Sequence, residues 1–250
     1  MTYMQNYEPV KTRFKYALLN VGRNHKTIKG DKKGNYVTGI LYLASGTSSG
    51  YNVCPKSTPG CRKACLNYVG YGNFEHVQKA RIAKTRHFFQ NQRHFLNTLV
   101  EDIRLLIHEA GQLNAKPAVR LNGTSDILWE RITVGPFRNL MEMFPYVQFY
   151  DYTKIPNRQN LPKNYHLTYS FSEENEKDHH QARQNGWNVA YVFRNQVPDA
   201  FDGYQVINGD SDDLRFLDPK NVIVGLKTKG VVAKNDTTGF VQEGDLYNAL

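Results

Sequence analysis

The chain has 250 residues, a formal net charge of +9, an apolar fraction of 40% and three cysteines. That balance suits a soluble globular protein, and no run approaches the roughly 18 apolar residues of a membrane span. Three thiols are an odd number, which argues against a closed disulfide framework. The N-terminal stretch MTYMQNYEPVKTRFKYALLN lacks the apolar core of a signal peptide. The expected location is therefore a reducing cytoplasm, where clustered cysteines speak for metal binding or catalysis. The positive charge fits either solvated helices or attraction to nucleic acid or another anionic partner, and it is densest from Lys79 to His87. No zinc-finger, helix-turn-helix or RNA-recognition signature accompanies it.

In chain order, the first apolar strand is Tyr36–Leu43, followed by Ala44-Ser45-Gly46 and the cysteine segment. Two helical patterns come next. One is capped near Asn73 and runs to about Gln90; the other starts at Asn91, carries Phe95, Leu96, Leu99, Ile103, Leu106 and Ile107 at helical spacing, and stops at Gly111. Short strands then recur at 118–121, 147–150, 166–169, 188–193, 204–207 and 222–225, with a polar helix from Glu173 to Asn185. Seven strands with helical crossovers predict an α/β fold with a mainly parallel sheet. The length is near that of a βα barrel, but crossovers such as Asn195 to Gly203 are too short for a helix. The expectation is a partial or irregular βα barrel, one domain over residues 1–250, with residues 44–72 as a loop after the first strand.

In such folds the active site lies beyond the C-terminal ends of the strands. The residues predicted there are Ser45, Asn122, Thr124, Asp126, Asp151, Lys154, Ser172, Arg194, Asn208, Asp210, Lys227 and Lys229. The cysteines belong to the same face. All three fall in Cys54-Pro-Lys-Ser-Thr-Pro-Gly-Cys61-Arg-Lys-Ala-Cys65. Two metal chemistries fit this C-x6-C-x3-C spacing. A cubane [4Fe–4S] cluster takes four thiolates in full, so three leave one iron open for a small molecule. Zinc needs a fourth ligand, for which His76 or His25 is available, or an open catalytic position. A redox pair with a bystander thiol is a third reading. Pro55, Pro59 and Gly60 suit a loop wrapped around a bulky cofactor, and Lys56, Arg62 and Lys63 would offset its negative charge.

Other groups extend the candidate site. Arg120 and Asp126 could bind the carboxylate and amine of an amino-acid-like ligand, or close the barrel top as an ion pair, with Asn122 and Ser125 adding donors. Strand alternation sets Asp151 and Thr153 on one side, Tyr152 and Lys154 on the other. A desolvated Lys154 could bind an anion or act as a base. The turn Asn208–Asp213 is rich in oxygen donors but lacks the spacing of an EF-hand. In a zinc-stapled, nucleic-acid-binding or host-protein-binding alternative, Lys79, Lys84, Arg86 and Arg93 form the contact face.

The segments Asn24–Gly30, Gly39–Ala44, the cysteine loop, Arg120–Asp126, Phe149–Lys154, Asn164–Ser170, Gly209–Asp218 and Val224–Lys227 together resemble a phage-encoded family of the gene product eighty-eight type. The resemblance spans nearly the whole chain. It implies a viral origin, work in the cytoplasm of the infected bacterial host, and a cluster-binding loop. A more distant similarity is to the radical S-adenosylmethionine enzymes, which carry a three-cysteine cluster loop after the first strand of a partial βα barrel. That similarity implies S-adenosylmethionine at the open iron and an electron donor from the host. The usual C-x3-C-x2-C spacing and a Gly-Gly-Glu stretch at the second strand are both missing here, and Asn122-Gly-Thr-Ser-Asp126 stands in the place of the latter. On this reading Asp126 and Lys154 are the catalytic candidates, and Arg120, Asn122, Ser125, Asp151, Arg194 and Lys227 bind substrate.

Overall fold

The computed structural model describes residues 15–22 and 24–244, apart from the side chain of His25. Most of the stretch read for a signal sequence therefore lies outside the described residues, as does that histidine as a zinc ligand. The elements are β1 (Leu19–Val21), α1 (His25–Gly34), β2 (Tyr36–Leu41), α2 (Pro59–Lys63), α3 (Glu75–Gln90), α4 (Gln92–Gln112), β3 (Lys116–Arg120), α5 (Leu140–Met143), β4 (Gln148–Thr153), β5 (Tyr165–Ser170), α6 (Glu176–Gln184), β6 (Val189–Phe193), β7 (Ala200–Phe201), β8 (Tyr204–Asn208), β9 (Ile223–Lys227), α7 (Gly230–Lys234) and β10 (Val241–Gln242). The strands form one sheet in the order β1-β2-β3-β4-β5-β6-β9-β8-β7, with β10 beside the end of β6. Every pairing is parallel except those of β1 and β7, which lie antiparallel on their neighbours. Among the described residues β1 and β7 do not pair with each other, so the sheet is open.

All seven anticipated strands are present with shifted ends, and β1, β7 and β10 join them. The cysteine loop consequently follows the second strand. β1 has only three residues and no periodic pattern to announce it. Besides its antiparallel pairing with β2, it is anchored through Asp102 on α4, which accepts from the backbone N–H groups of Ala17, Leu18 and Leu19 at 3.0, 2.6 and 2.8 Å. α4 buries Phe95, Leu99, Ile103 and Leu106 completely, as its spacing requires. Asn91 caps it by accepting from the His94 N–H. The anticipated stop at Gly111 moves one residue on, and the chain turns at Asn114 in the left-handed region (φ 51°). Likewise α3 starts at Glu75, because Asn73 closes the preceding helical turn Gly70–Asn73. α6 starts at Glu176, because the Asn175 side chain is engaged with the Ser172 N–H and Ser170 carbonyl.

The register gives the sheet two unlike faces. Val37, Leu41, Val119, Phe149, Leu167, Tyr169 and Val189 point to one side, into the core shared with α3, α4 and α6. The other side carries Thr38, then Arg120, Tyr150 and His166 in one row, Tyr152 and Thr168 in the next, and Lys154 and Ser170 at the C-terminal end. α1 and residues 208–218 pack on this polar face: Gly34 lies against Leu214, and Phe216 meets Tyr36 and Tyr150 edge-on. A buried carboxylate joins α1 to β2, since Asp31 accepts from both the N–H and the hydroxyl of Thr38.

Burial pushes the Asp31 carboxyl up to about 7, against the opposing effect of the two Thr38 hydrogen bonds. A folded-state value above the unfolded one means that folding takes up a proton. The stability contributed by that proton is complete below the ordinary carboxylate range and is lost as the pH rises through about 7. Melting curves of the wild type and Asp31→Asn should therefore diverge with pH. The wild type loses stability relative to the variant from about pH 4 to about pH 7 and runs parallel to it above that. A pH-independent difference would contradict this assignment.

Candidate metal centre at the C-terminal end of the sheet

The loop that carries the cysteines is tied to the sheet at several points. As it leaves β2, the Ala44 N–H donates to the Thr85 hydroxyl of α3 at 2.8 Å. The Asp126 N–H donates to the Val53 carbonyl at 2.7 Å, while the Asp126 carboxylate accepts from the Thr153 hydroxyl and the Lys154 N–H, both at 2.8 Å. Asp126 thus joins the cysteine loop to the end of β4. The third tie is Glu173, from the loop after β5. Its two oxygens accept from the Gly60 N–H at 2.6 Å and the Thr58 hydroxyl at 2.7 Å. Thr58 is also the N-cap of α2, accepting from the Cys61 N–H, and Pro59 stands in the first turn, where its missing N–H costs nothing. Gly60 permits this docking: a Cβ there would lie 2.1 Å from the Thr238 Oγ1 and 2.5 Å from the Phe240 Cβ.

The three thiols are free and half-buried. Burial pushes the Cys54 thiol up to about 12, and the proximity of Asp126, Cys65 and Cys61 adds to the rise. Burial also raises Cys65, with Cys61 contributing. Groups that favour a thiolate stand around them: the Gly46 N–H at Cys54, and the Asn67 N–H (3.5 Å), Ser45 hydroxyl and Arg81 guanidinium at Cys65. Such donors are what a sulfur-ligated centre requires around it. Among the described residues no three His, Cys, Asp or Glu side chains stand close enough to hold one metal ion. A cubane asks for a different arrangement, because each thiolate binds a separate iron. His76 is stacked on Phe74.

The remaining sequence candidates separate into two groups. On the polar face, the Arg120 Nη1 lies 3.1 Å from both oxygens of Asp213, and its guanidinium sits over the Tyr152 ring at 4.8 Å. Burial disfavours the charge of Arg120, but Asp213 together with Tyr152, Tyr150 and Tyr42 outweighs it and holds the group ionised. The Lys154 Nζ donates to the Ser170 hydroxyl at 2.6 Å and lies 5.6 Å from the Phe240 ring centre. Arg120 and Asp126 do not form the anticipated pair with each other, since each has other partners on different sides of the sheet.

The second group has work elsewhere. Asp151 lies inside β4 rather than beyond it and is fully buried. It accepts from the Asn122 N–H at 2.7 Å and the Tyr165 hydroxyl at 2.8 Å. Burial pushes its carboxyl up to about 7 despite these donors. The Asn122 Oδ1 accepts from Ser125, Ile127 and Trp129, so Asn122, Ser125 and Asp151 shape the loop from within. The Arg194 guanidinium is engaged by Glu243 and by the carbonyls of Lys234 and Asp236. Lys227 is exposed, and its backbone N–H binds Asp210. The oxygen-rich turn is also committed: Asp210 pairs with Lys26 and Lys229, Asp212 with Arg215, and Asp213 with Arg120. Three of the basic residues in the alternative contact face are occupied too. Lys79 pairs with Glu75, Lys84 donates to the Leu18 carbonyl and Arg86 to the Ser49 carbonyl.

Sequence reasoning passed over several residues of the polar face. The Thr168 Oγ1, His166 Nε2 and Arg120 Nε are buried without a hydrogen-bond partner, as are the Nε and Nη1 of Arg215. Burial, and then Arg215, lowers His166 to about 4, leaving a neutral imidazole. Alternation along Tyr165–Ser170 carried the signal, because Tyr-His-Leu-Thr-Tyr-Ser puts His166, Thr168 and Ser170 on one side. Glu173 and Arg81 gave no comparable cue.

A family model described as Gene product 88 matches residues 17–244, nearly the whole chain. The chain belongs to the Gene product 88 family. The phage-type resemblance read from its motifs is thereby supported at the level of family. No curated protein and no solved structure matches the chain. No helix among the described residues is long and apolar enough to cross a membrane.

In this Gene product 88 chain, Gly60→Ala should displace α2 from Phe240 and Glu173 while leaving the sheet intact. The expected cost is about 1–3 kcal/mol of stability. The change should also expose Cys61 to alkylation faster than in the wild type. Unchanged alkylation and melting would show that α2 does not depend on this contact. Glu173→Ala, which removes the same tie from the other side, should cost a similar amount through two lost charge-assisted hydrogen bonds.

Proposed function

We propose that this protein holds a [4Fe–4S] cluster on Cys54, Cys61 and Cys65 and acts as an enzyme on a small molecule bound at the fourth iron, above the polar face of the sheet. The observation that carries the reading is the cysteine loop. All three thiols sit in one short segment, anchored by Asp126 and Glu173 to the C-terminal ends of β4 and β5. Parallel sheets place reacting groups at that end. The finer reading is a partial βα barrel with the polar face toward its interior, where α3, α4 and α6 line the outer face and α1 with residues 208–218 covers part of the polar face.

On this reading the three thiolates hold the cluster, and Ser45, Gly46, Asn67 and Arg81 offset its negative sulfur. Arg120, Tyr152, His166, Thr168 and Lys154 orient the small molecule. The unpartnered Thr168 and His166 atoms supply hydrogen-bonding capacity that the protein itself leaves unused. Asp126 is a positioning residue, since both its oxygens are occupied by the loop and β4. When bound, the cluster supplies a one-electron reductant or an open Lewis-acidic iron. The ligand is S-adenosylmethionine in the first case and a small thiol or similar donor in the second. The place of action is the cytoplasm of the infected host, where the thiols stay reduced.

The test is metal and sulfide analysis of protein purified without oxygen. About four irons and four sulfides per chain, lost in Cys61→Ala, support the reading. Stoichiometric zinc without sulfide overturns it in favour of a structural centre. Adding S-adenosylmethionine to the reduced protein then separates the two chemistries, because only a ligand on the open iron alters the EPR spectrum of the cluster.

A further inference from the structure

α6 meets the sheet with an unusual face. A helix laid on apolar strands normally buries aliphatic side chains. The buried residues of α6 are only Ala182 and His179, the latter 3% exposed. Arg183 follows His179 by four residues and so shares its side of the helix. Aromatic rings surround the pair. His179 meets Phe171 and Tyr191 edge-on at 5.5 and 6.0 Å, and Phe171 stacks on Tyr191 at 4.5 Å. Phe201 lies 5.3 Å from Tyr191, and the Arg183 guanidinium sits over the Tyr204 ring at 3.8 Å. Strand alternation puts Phe171 and Tyr191 with Tyr169 and Val189, on the side of the sheet away from Arg120 and Lys154.

The polar atoms of this pair have no use inside the protein. Both ring nitrogens of His179 are buried without a hydrogen-bond partner, as are the Nε and Nη2 of Arg183. Burial, then His180 and Arg183, lowers His179 to about 4. At neutral pH its ring therefore carries one N–H and one lone pair, whichever tautomer it takes. The Nε and Nη2 of an arginine form a fork that grips a carboxylate side-on. Arg158 shows this, since its Nε and Nη2 donate to the two oxygens of Glu130 at 3.0 and 2.5 Å. The same two atoms of Arg183 donate to no group among the described residues. Buried donors without partners are rare in native proteins and call for a ligand or an ordered water.

The surroundings decide which ligand. α6 and residues 199–208 carry Glu176, Asp178, Asp199 and Asp202 against Lys177 and Arg183. That acidic excess disfavours a doubly charged phosphate, whereas a single carboxylate is matched by Arg183 alone. The surrounding rings favour an aromatic body on the same molecule. We infer that Arg183 and His179 form a binding site for a small aromatic carboxylate. The Arg183 fork takes its two oxygens, the His179 N–H donates to one of them, and its ring joins Phe171, Tyr191 and Tyr204. The site lies apart from the cysteine loop and from the polar face, and it does not rest on the cluster proposed above.

The test titrates benzoate onto the full chain as purified. Binding is read by calorimetry and by the arginine Nε–H resonances in proton–nitrogen correlation spectra. Two variants remove the polar atoms while keeping their packing. Arg183→Lys retains the charge without the fork, and its missing resonance assigns Arg183; His179→Phe retains a ring without nitrogens. Benzoate should shift the Arg183 resonance saturably in the wild type. Each variant should weaken benzoate about tenfold or more, which corresponds to about 1.4 kcal/mol. Inorganic phosphate at equal concentration should shift the resonance less. No shift by benzoate overturns the inference and leaves ordered water as the partner of these atoms. Equal binding to the wild type and both variants also overturns it, because benzoate then sits elsewhere as an adventitious ion only. Phosphate that binds as tightly as benzoate overturns the choice of ligand. Should Arg183→Lys fail to fold, His179→Phe and the wild-type titration still decide.

Discussion

A buried carboxylate must be given donors, and the Asp126 carboxylate shows what the chain gains from meeting that demand. Its oxygens are satisfied only when the end of β4 presents the Thr153 hydroxyl and the Lys154 N–H, and its own N–H reaches Val53 in the cysteine loop. Each of these bonds closes a contact between segments far apart in sequence. Leaving one unmade would cost more than making it returns, because the group would be stranded away from water. The same logic recurs with Asp102, which seats β1, with Asp213, which fixes Arg120 and Tyr150, and with Glu173, which clamps α2. The loops at the C-terminal end of the sheet are thus set by hydrogen-bond demand more than by apolar packing.

That choice has a consequence for the polar face. The opposite face is filled by Val, Leu and Phe side chains packed on α4, which stabilise the sheet through burial. The face carrying Arg120, Tyr152, His166 and Thr168 is freed from this task and is held apart by ion pairs from the segment 210–218. Rigid charge pairs with a few unused donors and acceptors are poor at stabilising a fold but good at orienting a ligand. The cysteine loop lies at the open end of this face, so the division of labour between the two faces of one sheet is what connects fold to proposed chemistry.

Several candidate residues read from the sequence have partners within the protein. Asp151 and Asn122 do lie near the ends of their strands, yet one alternates to the core side and the other folds its side chain back on its own loop. Arg194 stands beyond β6 as expected, but the returning segment with β10 takes up its guanidinium. Polar residues at strand ends are common, and their sequence positions do not distinguish a group facing a ligand from one that braces a neighbour.

By itself the sequence determined the seven main strands, the amphipathic α4, the gathering of every thiol into one loop after Leu43, and membership of a family recognisable across residues 17–244. These are local or periodic properties, written in spacing and composition. Only the tertiary structure decided that β1 precedes the cysteine strand, that the sheet is open, that Arg120 pairs with Asp213 while Asp126 serves the loop, and that the start of α7 lies against Val69. The physical reason is that charge partners are chosen by burial and distance. Both depend on contacts such as Arg120 to Asp213, 93 residues apart, for which no local pattern in the chain speaks.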